Sequence, residues 1–267
     1  MPVCAMADAP SKTPDIRDAQ VSVRVPPAPA IWALIPCAGI GSRAGTAQPK
    51  QYQPLAGRAM VLHTLDAFAA VGRVRETLVV LAPEDRLFAA LASDAPARCA
   101  SVACGAASRA GTVAHGLAAL RLRGAAPGDW VLVHDAARCL VTPALIDRLI
   151  DACLDDAVGG LLAMPAADTI KLAEGDRVAA TVDRSRHWLA QTPQMFRVGA
   201  LQHALRLAGD AVTDEASAIE LSGHAPRLVL GEPTNFKVTV AQDFVLAQAI
   251  LLARSGAHDP ENKHARP

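Results

Sequence analysis

Short runs that are apolar at nearly every position alternate with helix-like segments along most of this chain. That alternation constrains the fold more than any other feature. Ile31–Ile35, Glu76–Leu81, Arg98–Val102, Asp129–His134 and Val158–Pro165 read as strands. Val61–Val71, Pro83–Leu91, Thr112–Arg121 and Pro143–Leu154 read as the helices between them. A strand without polar alternation is one buried on both faces. Strand–helix–strand repetition then calls for an α/β architecture, a mostly parallel twisted sheet with helices on both faces. In such sheets ligands sit beyond the carboxyl ends of the strands, so the loops after Ile35, Val102 and Val133 should meet at one crevice.

The pattern breaks at Asp168. Thr169–Leu172 and Val178–Val182 are β-prone runs joined by a turn centred on Gly175, which makes a hairpin. Such a hairpin can project as an arm and pack on another subunit, or it can extend the sheet as an antiparallel edge. Further on, Val198–Leu207 and Asp214–Leu221 read as helices, with Thr213 or Asp214 as the N-cap of the second. Arg227–Leu230 is a strand, Asn235–Thr239 a loop or short strand, and Ala241–Leu252 a closing helix.

The length of 267 residues suits one large domain, and the formal net charge of zero speaks against non-specific nucleic-acid binding. Aromatic residues are few and are not interleaved with basic ones, so no single-strand stacking platform is expected. No apolar run approaches the roughly 20 residues of a membrane span. Cys4, Cys37, Cys99, Cys104, Cys139 and Cys153 show no metal-ligand spacing and read as reduced thiols of a cytoplasmic protein. Residues 1–30 are expected to be a disordered extension and 254–267 a disordered tail, leaving 31–253 as the domain.

The first loop carries the strongest chemical signal. Cys37-Ala38-Gly39-Ile40-Gly41-Ser42-Arg43 follows the first strand, and Pro49-Lys50-Gln51-Tyr52 follows soon after. Glycines let backbone amides approach an anion closely. From Ala19 to Leu65 there is no Asp or Glu, while Arg24, Arg43, Lys50 and Arg58 are present. A local excess of positive charge in a neutral chain points to a focused polyanion site. Three readings compete: an ordinary glycine turn, a dinucleotide fingerprint in Gly39-x-Gly41-x-x-Ala44, and a triphosphate loop. The fingerprint should open straight into a helix, and Pro49 blocks that. The charge favours the triphosphate loop, although no Gly-Lys-Ser/Thr occurs here.

His134-Asp135-Ala136-Ala137-Arg138 ends the strongest strand. A carboxylate there, beside phosphates, suits Mg²⁺, which takes oxygen ligands from one or two carboxylates and the phosphates themselves. An Asp–Arg pair closing a strand end is the plainer alternative. His134 reads as a packed residue, since transfer to a phosphate nucleophile requires no proton to be removed.

Taken in order, Pro36–Arg43 with Pro49–Tyr52, Val133–Arg138, Thr181–Arg184, Gln191–Gln194, Thr213–Ser217 and Asn235–Thr239 resemble the signature set of the 2-C-methyl-D-erythritol 4-phosphate cytidylyltransferase family. The resemblance covers roughly residues 31–253. It implies a Rossmann-like nucleotidyltransferase domain with a protruding β-arm, about 166–186, that exchanges between the subunits of a homodimer. The implied reaction joins CTP and methylerythritol phosphate with release of pyrophosphate and needs Mg²⁺. Another polyol phosphate such as ribitol 5-phosphate is the alternative acceptor, and an NAD(P)-dependent oxidoreductase or a nucleotide sensor the more distant ones.

By the same resemblance, Arg43 and Lys50 hold the triphosphate, and Asp135 is the metal and ribose-side carboxylate. Cys37, Ala38, Gly39, Gly41 and the loop of Gly105, Arg109 and Thr112 contact cytosine and ribose. Ala136, Arg138, Thr192 and Asp214 fall in matching motifs at the substrate site. Arg184, Thr213 and Lys237 bind the polyol phosphate, Arg184 from the partner's arm. The family's second loop usually reads Gly-Gly-x-x-Arg-x-x-Ser; here it runs from Gly105 through Arg109 to Thr112, and Ala106 and Ala107 offer no polar side chain, while Cys37 stands where Ala is common and Cys139 where Pro is common.

Overall fold

The computed structural model describes residues 28–39 and 48–256. The first 27 residues, the first-loop segment 40–47 and the last 11 lie outside the described residues, and with them most of the expected extension and tail. In chain order the strands are β1 (Ile31–Cys37), β2 (Pro54–Leu55), β3 (Arg58–Ala59), β4 (Val74–Leu81), β5 (Cys99–Ala103), β6 (Trp130–Val133), β7 (Gly159–Pro165), β8 (Ile170–Glu174), β9 (Arg177–Val182), β10 (Trp188–Arg197) and β11 (Arg227–Leu230). The helices are α1 (Met60–Ala69), α2 (Arg109–Leu122), α3 (Pro143–Cys153), α4 (Val198–Ala208), α5 (Glu215–Leu221) and α6 (Ala241–Gly256). The closing helix thus runs on through residues 254–256, where a disordered tail was expected.

Seven strands form one sheet in the order β11-β7-β10-β6-β1-β4-β5. Every pairing is parallel except those of β10, which runs antiparallel to both β6 and β7. The chain leaves β1 towards β4 and β5, then returns to β6 on the other side. That reversal makes the β1–β6 gap a topological switch point, where doubly wound sheets open a crevice.

The two faces of β1 show why the apolar run has no alternation. Ile31, Ala33 and Ile35 pack with α1 and α3 in one core layer. Trp32 and Leu34 pack with α2, α4 and α5 in the other. Each side chain from Ile31 to Ile35 meets a helix layer, so a polar residue at any of these positions would be buried without a partner.

Two expectations fail for identifiable reasons. Pro83–Leu91 does not form a helix; a 3-10 turn at Phe88–Leu91 takes its place. Asp85 Oδ1 accepts from the N–H groups of Leu87 and Phe88, both at 3.0 Å, which is an N-cap pattern and starts the turn after Asp85, leaving Pro83 and Glu84 outside it. The second loop is shorter than expected, since α2 begins at Arg109 behind an N-cap at Ser108 whose side chain accepts from Gly111 N–H. β10 was not anticipated at all.

The hairpin of β8 and β9 forms its own two-stranded sheet and does not extend the main one. Gly175 takes φ +61° in its turn, a conformation that favours glycine. Both strands are largely exposed, with Leu172 at 58% and Val178 at 63% of their full surface open. It projects, as expected of an arm.

Candidate active site

The carboxyl ends of β1 and β6 open into a cavity of about 540 Å³. The first loop contributes Cys37, Ala38 and Gly39, the turn after it Lys50 and Gln51, and the second loop Ala106 to Arg109 and Thr112. Asp135, Ala136 and Ala137 come from the end of β6, and Lys237 from the late loop. The crevice expected from three strand ends therefore forms, with a fourth loop added.

Local sequence explains how these loops hold their places. Pro49 is followed by a 3-10 turn, Lys50–Tyr52, and not by a helix. The turn aims the Gln51 side chain back at the first loop, where Nε2 donates to the carbonyls of Cys37 at 3.1 Å and Gly39 at 2.8 Å. Lys50 Nζ donates to the Val238 carbonyl at 2.7 Å, which ties the first loop region to the late one. Gly105 sits against the first loop so closely that a Cβ would lie 2.3 Å from that of Ala38. Only glycine allows the two loops to approach like this. Thr112 is buried, and its hydroxyl oxygen accepts from Ala106 N–H at 3.0 Å, so it braces the second loop from inside.

The centre of the site is a run of four charges. Asp135 accepts from Arg109 Nε at 2.9 Å through one oxygen and from Lys237 Nζ at 2.7 Å through the other. Arg109 uses its remaining fork on Glu215, with Nη1 to Oε1 at 2.7 Å and Nη2 to Oε2 at 3.0 Å. Burial alone would raise the Asp135 carboxyl, but Arg109 and then Lys237 hold it well below the ordinary carboxylate range. Burial pushes the Glu215 carboxyl up, and Arg109 pulls against it. The bidentate geometry is that of an ionised pair.

His134 lies fully buried beneath this run. Its Nε2 bonds the Arg138 carbonyl at 3.1 Å and its Nδ1 the Thr192 hydroxyl at 3.0 Å. Burial lowers its pKa to about 3, so it is a neutral packed imidazole at ordinary pH. Cys37 is equally inert: burial pushes its thiol up to about 12. Cys37, Cys99, Cys104, Cys139 and Cys153 are all free thiols.

The other expected site residues divide. Gly41 and Arg43 lie outside the described residues. Arg58, part of the same basic window, turns away and pairs with Asp66. Arg138 does not line the cavity; it donates to the carbonyls of Asn235 at 2.8 Å and Ala190 at 3.1 Å. Thr192 is buried, and its hydroxyl accepts from Asp135 N–H at 3.1 Å. Thr213 is exposed, and Asp214 caps α5 while lining a second cavity of about 380 Å³. Arg184 is exposed, and its guanidinium donates to the Ala167 carbonyl at the base of the arm, away from the first cavity of its own chain. Glu215 and Gln51 were missed as site-forming residues. Glu215 had read only as part of a helix cap, and its partner lies 106 residues away in sequence.

A mostly parallel sheet, a crevice at its switch point and cations converging on one carboxylate place the chain in the α/β nucleotidyltransferase fold class. The family profile described as IspD, 2-C-methyl-D-erythritol 4-phosphate cytidylyltransferase, matches residues 31–253. A protein of that name from Burkholderia multivorans is 54% identical over 234 residues, 86% of this chain and 99% of the relative. A bifunctional IspD/IspF enzyme from Albidiferax ferrireducens is 58% identical over 237 residues; the match takes in 89% of this chain but spans only 56% of that relative's length. A crystal structure of 4-diphosphocytidyl-2C-methyl-D-erythritol synthase superposes with a TM-score of 0.75 at 41% identity, over 84% of this chain and 98% of that one. The chain belongs to the 2-C-methyl-D-erythritol 4-phosphate cytidylyltransferase family, enzymes of isoprenoid precursor synthesis.

Proposed function

We propose that this chain transfers CMP from CTP to 2-C-methyl-D-erythritol 4-phosphate, giving 4-diphosphocytidyl-2-C-methyl-D-erythritol. The observation that carries the reading is the single cavity lined by Lys50, Arg109, Asp135 and Lys237 at the switch point. A phosphate oxygen of the acceptor attacks the α-phosphorus of CTP. The bond from that phosphorus to the bridging oxygen breaks, and pyrophosphate leaves. Both reactants are anions, so the work of the site is positioning and charge neutralisation.

Lys50, with Arg43, is assigned to the triphosphate. Lys237, with Arg184 of the partner subunit, is assigned to the acceptor phosphate. The walls of Cys37 to Gly39 and Gly105 to Thr112 would receive the nucleoside. Because Ala106 and Ala107 have no polar side chain, the base would be read there by backbone groups. Among the described residues no three His, Cys, Asp or Glu side chains gather to hold a metal. Mg²⁺ that arrives with a triphosphate needs only one or two carboxylates, and Asp135, an ionised oxygen donor facing the cavity, fits that demand. Bound there, Mg²⁺ would neutralise charge on the phosphate oxygens. We assign the chain to a homodimer clasped by the arm, and to the cytoplasm. No described helix is long and apolar enough to cross a membrane.

The test is turnover. CTP, Mg²⁺ and methylerythritol phosphate should release pyrophosphate, and ribitol 5-phosphate should release it far more slowly. Equal rates with both acceptors would defeat the substrate assignment. Asp135→Asn should shift the Mg²⁺ dependence to higher concentration and recover part of its rate there. An unchanged Mg²⁺ dependence would make Asp135 purely structural.

A further inference from the structure

Arg109 poses a problem for any metal at Asp135. A guanidinium that is itself largely buried, already bonded to Oδ1 of the carboxylate at 2.9 Å, competes with a cation for that oxygen, while Lys237 keeps the other, so the oxygen a metal would take is the one Arg109 holds. Glu215 bears on this. Its side chain is 1% exposed and does not line the cavity, so it touches neither substrate. Yet it takes two of the three hydrogen bonds that Arg109 makes to carboxylates, at 2.7 and 3.0 Å. Bidentate pairing of this kind is the stronger arrangement for arginine. Glu215 is also held firmly from its own side. Asp214 and Ser217 form a reciprocal cap around it, and Gln194 Oε1 accepts from the next N–H, Ala216, at 2.7 Å.

We propose that Glu215 is a positioning residue that keeps Arg109 engaged, so that Asp135 can be given up to the metal of the incoming nucleotide. With Glu215 in place, Arg109 retains a full counter-charge when its bond to Asp135 is released. Without that charge, Asp135 becomes the one carboxylate Arg109 pairs with, and the guanidinium holds it against the metal. The inference rests on the reading of Asp135 as the metal-facing carboxylate.

The experiment measures Mn²⁺ binding by electron paramagnetic resonance on the full chain, in the presence of α,β-methylene-CTP, which cannot react. Glu215→Gln keeps the shape and removes the charge. Glu215→Asp keeps the charge and shortens the reach. Glu215→Gln should weaken Mn²⁺ binding by about 10-fold to 100-fold, the usual scale for losing a residue that orients a metal ligand. Glu215→Asp should weaken it by only about 3-fold. Affinity for the analogue in EDTA should stay at the wild-type value in both.

A packing role reverses the ranking, because Gln fills the site and Asp leaves a gap; that order overturns the proposal. So does wild-type Mn²⁺ affinity in Glu215→Gln. Asp135→Asn is measured alongside. If it binds Mn²⁺ as wild type does, the metal reading of Asp135 falls and the inference falls with it. If Asp135→Asn weakens binding and Glu215→Gln does not, the inference alone is wrong. Should Glu215→Gln fail to fold by circular dichroism, Glu215→Asp decides. A loss of about 3-fold in Mn²⁺ affinity at unchanged analogue affinity supports the proposal, and either no loss or the loss of about 10-fold or more that a packing gap would give overturns it.

Discussion

The cavity and the arm are built on opposite plans. Around the cavity every described charge is answered within the chain: Asp135 by Arg109 and Lys237, Arg109 by Glu215, and Lys50 by the Val238 carbonyl. Asp135 keeps only 11% of its side chain open. The arm has two strands paired with each other and apolar side chains left in the open, among them Leu172 and Val178. A two-stranded hairpin is marginal by itself in water. The cavity is preorganised by its own fold, whereas the arm's two strands pair only with each other, and the proposed dimer would supply their packing. Catalytic charge should therefore be supplied chiefly by the cavity wall, and the arm should act across a subunit boundary.

The largest expected effect tests the cavity side. Lys50→Ala should lower kcat by about 10²–10³, the scale for losing one preorganised charge donor at a transition state. Arg43→Ala should do the same, given its place in the acid-free window. Steady-state pyrophosphate release measures both. A Lys50→Ala enzyme within a few-fold of wild type would mean that the cavity wall is scaffold alone.

The next effect sharpens the contrast with the arm. Arg184→Ala and Lys50→Ala, each expected to be nearly inactive, are mixed and allowed to exchange subunits. If Arg184 crosses to the partner, each mixed dimer has one site with both defects and one with neither. Exchange of an identical element between two subunits closes the assembly, so activity should climb to about a quarter of wild type. If Arg184 serves its own chain, mixing restores nothing, and the two regions belong to a single subunit's site.

The same contrast governs what could be read without coordinates. The cavity's strand ends were legible because a run such as Trp130-Val131-Leu132-Val133 has one physical solution, burial on both faces. The hairpin was legible because its turn glycine and β-prone flanks are local signals, whereas its projection as an arm, and not as a sheet edge, was not. β10 was not. Gln191, Thr192, Pro193 and Gln194 break any apolar period, and a proline argues against a central strand. The sheet tolerates it through a register break between Ala190 and Gln194 on the β7 side. Once buried, those polar residues are the supports of the site: Gln194 Nε2 donates to Asp214 at 2.8 Å, and Thr192 holds Asp135 and His134. Glu215 was invisible for the related reason that a buried acid declares itself only through a distant partner.

The smallest expected effect concerns stability and again separates the two regions. His134, next to Asp135 in the chain, is fully buried and neutral, its pKa lowered to about 3 from 6.5. Below about pH 6.5 the unfolded chain binds a proton there that the folded chain refuses. Stability therefore falls as pH drops, by about 1.4 kcal/mol per unit from this one group. Between pH 6.5 and pH 5 the loss from this group should reach about 2 kcal/mol, and Glu215, whose carboxyl burial raises, acts in the opposite sense, which is why the slope is compared with that of a His134 variant. Urea unfolding across this range checks it, comparing wild type with His134→Gln, whose midpoint should be lower overall but flatter in pH. Shortening the arm by replacing β8 and β9 with a turn should leave the wild-type pH slope intact, because the titrating group bonds to Arg138 and Thr192 and not to the arm. If the slope persists in His134→Gln, the buried imidazole is not its source.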